Sequence, residues 1–136
     1  MKPVIQQEKT GCAIASAAVL AGISYKEAKL IANDLGIAAE DTKLWSETHY
    51  IRKMLRKLNI KIGKAELPFK NWNTLPDRAL LAIKWHRVNG KPYWHWVVFV
   101  RENNIEYVLD SSKKIKNNKR TDFGRMGPKW YIKIDV

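Results

Sequence analysis

Residues 93–110 read YWHWVVFVRENNIEYVLD, two apolar runs separated by Asn103-Asn104. The runs are rich in β-branched and aromatic residues, and the Asn pair tolerates the left-handed backbone of a tight turn, so the stretch predicts an antiparallel hairpin. A two-residue turn sets the register. Glu102 then stands opposite Ile105, Arg101 opposite Glu106 as an opposite-charge pair, Phe99 opposite Val108, and Val97 opposite Asp110. His95 lies one step beyond Val97 on the same face, so His95 and Asp110 are diagonal neighbours with Cβ atoms within about 7–8 Å. A carboxylate can reach an imidazole nitrogen over that span. Val97, Phe99 and Val108 mark this face as the one to be packed on helices, which leaves Trp94 and Trp96 on the opposite face, as a groove lining or as cover for the other side of the sheet. A buried His and a buried Asp each need a partner, since an unpaired polar group costs about 1–3 kcal/mol. Two readings stay open: a satisfied core histidine beside a strand-ending Asp, or a functional pair.

Working outward, residues 80–85 read as a further strand, Asn89-Gly90 as the turn that joins it to the strand 93–101, residues 105–110 as the third strand and residues 130–136 as a fourth. The half before residue 65 is helical. Thr10 is placed to cap a helix from Gly11 to Ala21, stopped by Gly22; Ser24 and Glu27 form a capping box for a helix over 25–35, ended by Gly36. A third helix over 47–58 sets Tyr50 or Ile51, Met54 or Leu55, and Leu58 on one face, with Arg52, Lys53, Arg56 and Lys57 outside. With no repeat, linker or low-complexity segment, residues 1–136 are expected to form one domain of the α+β class, helices packed on an antiparallel sheet.

Composition limits the function classes. Apolar residues make up 46% of the 136 and charged residues 28%, a globular balance rather than a disordered one. One Cys cannot form an internal disulfide, which excludes a cross-linked secreted scaffold and points to a reducing, cytoplasmic setting. The run CAIASAAVLAGI over 12–23 is too short to span a bilayer. It imitates a signal sequence, but Glu8 interrupts the basic region ahead of it and Ala predominates over Leu; Lys9 likewise disfavours a lipoprotein site at Thr10-Gly11-Cys12. The net charge of +12 attracts anionic partners, an acidic peptide, nucleic acid or an anionic surface, and concentrates in KKIKNNKR over 113–120. Nucleic-acid binding through that run is possible but not favoured, because such runs are usually solvated loops. One Cys and three scattered His lack metal-ligand spacing, and no Gly-rich phosphate loop occurs, so no metal or other cofactor is expected.

Cys12 gives the hairpin pair a chemical meaning. It falls in the first turn of the first helix, where free backbone N–H groups and the helix dipole favour an anion. A thiolate beside an imidazolium that a carboxylate orients is the arrangement for attack on an acyl carbon. Gln6, six positions earlier, has a side-chain amide suited to stabilising an oxyanion together with the Cys12 N–H; Gln7 takes that place if the register slips by one. His49 and His86 have no carboxylate at comparable spacing and read as surface or loop residues.

The order Gln6, Cys12, His95, Asp110, the small-residue helix ending at Gly22, Ser24-Tyr25-Lys26-Glu27-Ala28 opening the next helix, and the apolar run after His95 together resemble a papain-like cysteine peptidase. The similarity is to the compact branch of bacteriocin-leader peptidase domains of ABC exporters and their stand-alone relatives, over about residues 4–110. It implies a papain-like fold, a peptide or protein substrate cut at a peptide or isopeptide-type amide, Cys12 as nucleophile, His95 as its base and acid, Asp110 as the orienting group and Gln6 as oxyanion donor. An acyl transferase would use the same residues, and a pseudoenzyme would keep the fold and bind peptides without cutting them. Gly11-Cys12-Ala13 and Asp110-Ser111 stand where that family commonly has Asp-Cys-Gly and Asp-Pro, and no ATPase segment is attached, so neither leader specificity nor an exporter role is implied.

Overall fold

The computed structural model describes residues 1–135 and is α+β. Helices α1 (Cys12–Ala21), α2 (Tyr25–Asp34) and α3 (His49–Lys57) precede strands β1 (Leu67–Pro68), β2 (Arg78–Val88), β3 (Lys91–Glu102), β4 (Ile105–Leu109), β5 (Lys119–Arg120) and β6 (Trp130–Lys133). The strands form one antiparallel sheet in the order β1-β6-β2-β3-β4-β5.

Both hairpins form at the expected turns. Asn103 and Asn104 have φ of 52° and 63°, Asn89 and Gly90 have 52° and 80°, the doubly left-handed backbone whose twist matches that of the flanking strands. The β3–β4 register is the expected one, with Glu102 opposite Ile105, Arg101 opposite Glu106 and Phe99 opposite Val108. The β2–β3 pairing runs further than residues 80–85 and 93–101, because the tight turn at Asn89-Gly90 pulls the exposed Arg87, Val88 and Lys91 and the half-buried Pro92 into register. It also contains a bulge. Ile83 pairs with His95 and His86 with Tyr93, so Lys84 and Trp85 together oppose Trp94, and Lys84 takes φ of 55°. The bulge exchanges the faces of β2 beyond Ile83. His86 therefore sits in a strand, exposed, on the same face as Tyr93 and His95.

The helix starts are partly as expected. Ser24 and Glu27 form their capping box, the Glu27 N–H donating to Ser24 Oγ at 3.1 Å. Thr10 does not cap α1: Gly11 occupies the N-cap position, and the Thr10 hydroxyl instead donates to the Ala39 carbonyl. The helix α1 is buried on every side from Cys12 to Val19, which accounts for its lack of a polar face. The segment that imitates a signal sequence is thus the central helix of the core.

Contrary to the sequence expectation, the helices do not pack on the Val97, Phe99 and Val108 face. They cover the other one, where Trp94, Trp96, Val98, Val100, Tyr107 and Leu109 join α1, α2 and α3 in one cluster. Val97, Phe99 and Val108 lie in a second cluster with Leu75, Leu81 and Met126, closed by Phe69, Trp72 and Phe123. Alternation cannot choose between the faces here because β3 is apolar on both. The choice falls to volume: Trp94, Trp96 and Trp130 pack edge to face at 4.9–5.6 Å under the helices, and the coils 69–75 and 123–126 suffice for the smaller side. Among the described residues no helix is long and apolar enough to cross a membrane.

Candidate active site

The end of β4 determines the site. Its last residue, Leu109, pairs with Val98, so the edge of β3 is open from Trp96 toward the N-terminal end of the strand. The N-terminus of α1 enters this gap, and the Trp96 N–H that β4 leaves free donates to Cys12 Sγ at 3.5 Å. His95 Nε2 donates to Asp110 Oδ1 at 2.7 Å, the diagonal contact expected from the hairpin register. Cys12 lies close enough to His95 to act on the pKa of its ring. With Nε2 taken by the carboxylate, Nδ1 is the ring nitrogen left for the sulfur. The open sheet edge lets groups from the two faces meet, bringing Cys12, His95 and Asp110 together.

Burial disfavours a charged His95, but the hydrogen bond to Asp110 and the interactions with Cys12 outweigh it and raise the imidazole pKa to about 9. Burial likewise opposes a charged Asp110. The bonds from His95, the Ser112 N–H and Arg120 prevail and bring it down to about 2. Asp110 has no exposed surface, and its second oxygen accepts from Arg120 Nη1 at 3.0 Å. The same guanidinium forks onto Asp122 at 2.9 and 2.7 Å. Arg120 was legible only as the end of the basic run 113–120, and its partner Asp122 lies just beyond that run. Short-range pattern carried no sign that β5 would pair with β4 and bring Arg120 back to Asp110.

Gln6 is beside the site and heavily bonded. Its Nε2 donates to the Glu8 and Lys9 carbonyls, both at 3.0 Å, and its Oε1 accepts from Ser111 Oγ at 2.7 Å. The Gln6 N–H donates to the Ser111 carbonyl at 3.0 Å. Both amide protons are thus engaged by the loop ahead of Cys12, and an oxyanion would have to take one of them from a carbonyl. Ser111 holds this amide in place. Gly11 has a physical reason too: a Cβ there would overlap the Tyr25 hydroxyl, which donates to Glu8 while Lys29 pairs with the same carboxylate at 2.7 Å. Gln7 is exposed, its carbonyl accepting from Lys113 Nζ at 2.8 Å.

His95, 15% exposed in its side chain, and Gln6 line a cleft of about 850 Å³ with Trp45, Tyr93, Trp94 and several lysines. Cys12, by contrast, has no accessible surface. His49 lies at the start of α3 beside Glu47 at 3.2 Å, away from this cleft. Among the described residues no group of three or more His, Cys, Asp and Glu side chains is arranged to hold a metal ion. Comparison with models of protein families, with curated proteins and with solved structures finds no match for this chain.

Proposed function

We propose that the chain is a papain-like thiol hydrolase acting on peptide or isopeptide-type amides. The observation that carries this reading is the His95–Asp110 bond with Cys12 beside it at the open edge of β3, assembled from a helix N-terminus and a hairpin distant from it in sequence. A core histidine satisfied by Asp110 would not require the one cysteine of the chain beside it. In the reaction, Cys12 Sγ bonds to the acyl carbon as its proton passes to His95, His95 gives that proton to the leaving amine, and the C–N bond breaks to leave a thioester. Water then attacks the thioester, His95 takes a proton from it, the C–S bond breaks to release the acid, and His95 returns the proton to the sulfur to restore the thiol. Asp110 keeps the imidazole oriented and charged-state ready throughout. The N–H of Cys12, the first residue of α1, has no intrahelical acceptor and serves the oxyanion.

A second reading, a peptide-binding relative without turnover, is favoured by two observations: Cys12 has no accessible surface, and both Gln6 amide protons are engaged. Turnover requires the loop over 6–11 to yield when substrate enters. The test is a random decapeptide library incubated with the protein and with Cys12→Ala, new amino termini being read by mass spectrometry. New termini that depend on Cys12 are expected. Their absence overturns the hydrolase reading and leaves the binding one.

A further inference from the structure

Building on the hydrolase reading, we infer that the cleft beside His95 selects peptides carrying Asp or Glu side chains near the scissile amide. The argument rests on what lines it. Lys9, Lys84, Lys113 and Lys114 all border the cleft, and none of the four forms an ion pair among the described residues. The single acidic residue on its wall, Glu8, is neutralised by Lys29 and bonded by Tyr25. The field in the cleft is therefore positive at short range, beyond the general +12 of the chain.

Two features show that this charge is built into the backbone. The β2 bulge holds Lys84 at a left-handed φ of 55°, an unusual conformation for a long side chain, and turns His86 to the cleft face. On the opposite side, Lys113 binds the Gln7 carbonyl and so ties the loop after Asp110 to the loop before Cys12. Both loops then present their lysines to the same space.

A separate observation concerns hydrogen bonding. Two cleft-lining tryptophans, Trp45 and Trp94, have buried indole N–H groups with no acceptor among the described residues. An indole N–H is a donor only, and an unpaired buried donor is disfavoured. Ammonium groups and indole N–H groups ask for the same thing in a ligand, which is oxygen acceptors. Carboxylate side chains and backbone carbonyls of an acidic peptide supply acceptors to the ammonium groups directly, and to the indoles where a ring turns its N–H to the cleft. A peptide is favoured over nucleic acid because the cleft is a local concavity beside an amide-cleaving group, and because Lys119 and Arg120, the end of the basic run, face Tyr107 and the Asp110–Asp122 pair instead.

The test separates recognition from turnover. A fluorescein-labelled decapeptide with two central Glu residues, its Gln counterpart, and a single-stranded DNA decamer are titrated into Cys12→Ala by anisotropy. The Glu peptide is expected to bind at least about tenfold tighter than the Gln peptide at low salt. The triple variant Lys84→Glu, Lys113→Glu, Lys114→Glu is expected to abolish that preference, and Lys57→Glu, on the far face of α3, to keep it; melting curves check that each variant is folded. Equal binding of Glu and Gln peptides, or a preference that survives the triple variant, overturns the inference. DNA binding tighter than the Glu peptide and lost in the same triple variant overturns it as well, in favour of nucleic acid. Library cleavage by the unmodified protein is then read for residues flanking each cut. Cuts without Asp or Glu enrichment overturn the acidic preference while sparing the hydrolase reading, whereas acid-selective binding without Cys12-dependent cuts supports the preference and overturns turnover alone.

Discussion

At Asp110 a carboxylate with no exposed surface accepts bonds from His95, the Ser112 N–H and Arg120, while Asn118 donates to its backbone carbonyl at 2.7 Å. The pH dependence of stability follows from the pair. The folded-state pKa of His95 lies above its ordinary 6.5, so its contribution is complete below that value and is withdrawn as pH rises through about 9. Asp110 lies below its ordinary 3.8, so its contribution is complete above that value and is withdrawn as pH falls through about 2. Thermal melting is expected to show this contribution whole between pH 3.8 and 6.5, with an alkaline decline that His95→Gln flattens. Arg120→Gln removes one partner of a largely buried ion pair and is expected to destabilise by about 3 kcal/mol in urea unfolding. The loss grows as pH falls toward 4, because an Asp110 freed of the guanidinium protonates earlier. A loss below 0.5 kcal/mol would mean that Ser112 and His95 suffice to hold the carboxylate.

Among the elements, the β3–β4 hairpin was the most legible, because a two-residue Asn turn specifies register without knowledge of the rest of the chain. The capping box of α2 was legible for the same reason, being local. Ser24→Ala is expected to cost about 1 kcal/mol by thermal unfolding. Replacing Asn104, at φ of 63°, by Gly is expected to stabilise by about 0.5 kcal/mol, since glycine adopts that backbone freely. The Thr10 cap failed because a hydroxyl chooses the nearest acceptor in space, here the Ala39 carbonyl, twenty-nine residues away. The β2 bulge failed for a related reason. Ile83, Lys84, Trp85 and His86 alternate as a plain strand would, and only pairing with β3 reveals the extra residue.

For the whole molecule, both faces of the sheet are buried, and that fact was only half visible. The Ala-rich α1 was legible as a helix but not as an interior one, and residues 69–75 and 123–126, which cover the second face, have no regular period to read. The small residues of α1 permit its close approach to α2, α3 and β3. Ala18→Leu, at a position with no exposed surface, is expected to overpack this junction and destabilise by about 1–3 kcal/mol, read by thermal unfolding. The sequence brought Cys12, His95 and Asp110 into one argument, and they meet at the end of β4. Gln6 was legible as a neighbour of that site, whereas its bonds to Glu8, Lys9 and Ser111 depend on how the loop folds back. Arg120 and the positive cleft arise from contacts between segments that no short window contains.

The claim on which the account turns is that His95 activates Cys12. Intact-mass spectrometry of the folded protein exposed to a peptidyl fluoromethyl ketone tests it, with tandem spectra locating the adduct. A single adduct on Cys12 is predicted, forming at least about 100-fold more slowly in His95→Ala. No adduct on the folded protein, or one that forms equally fast without His95, would contradict it.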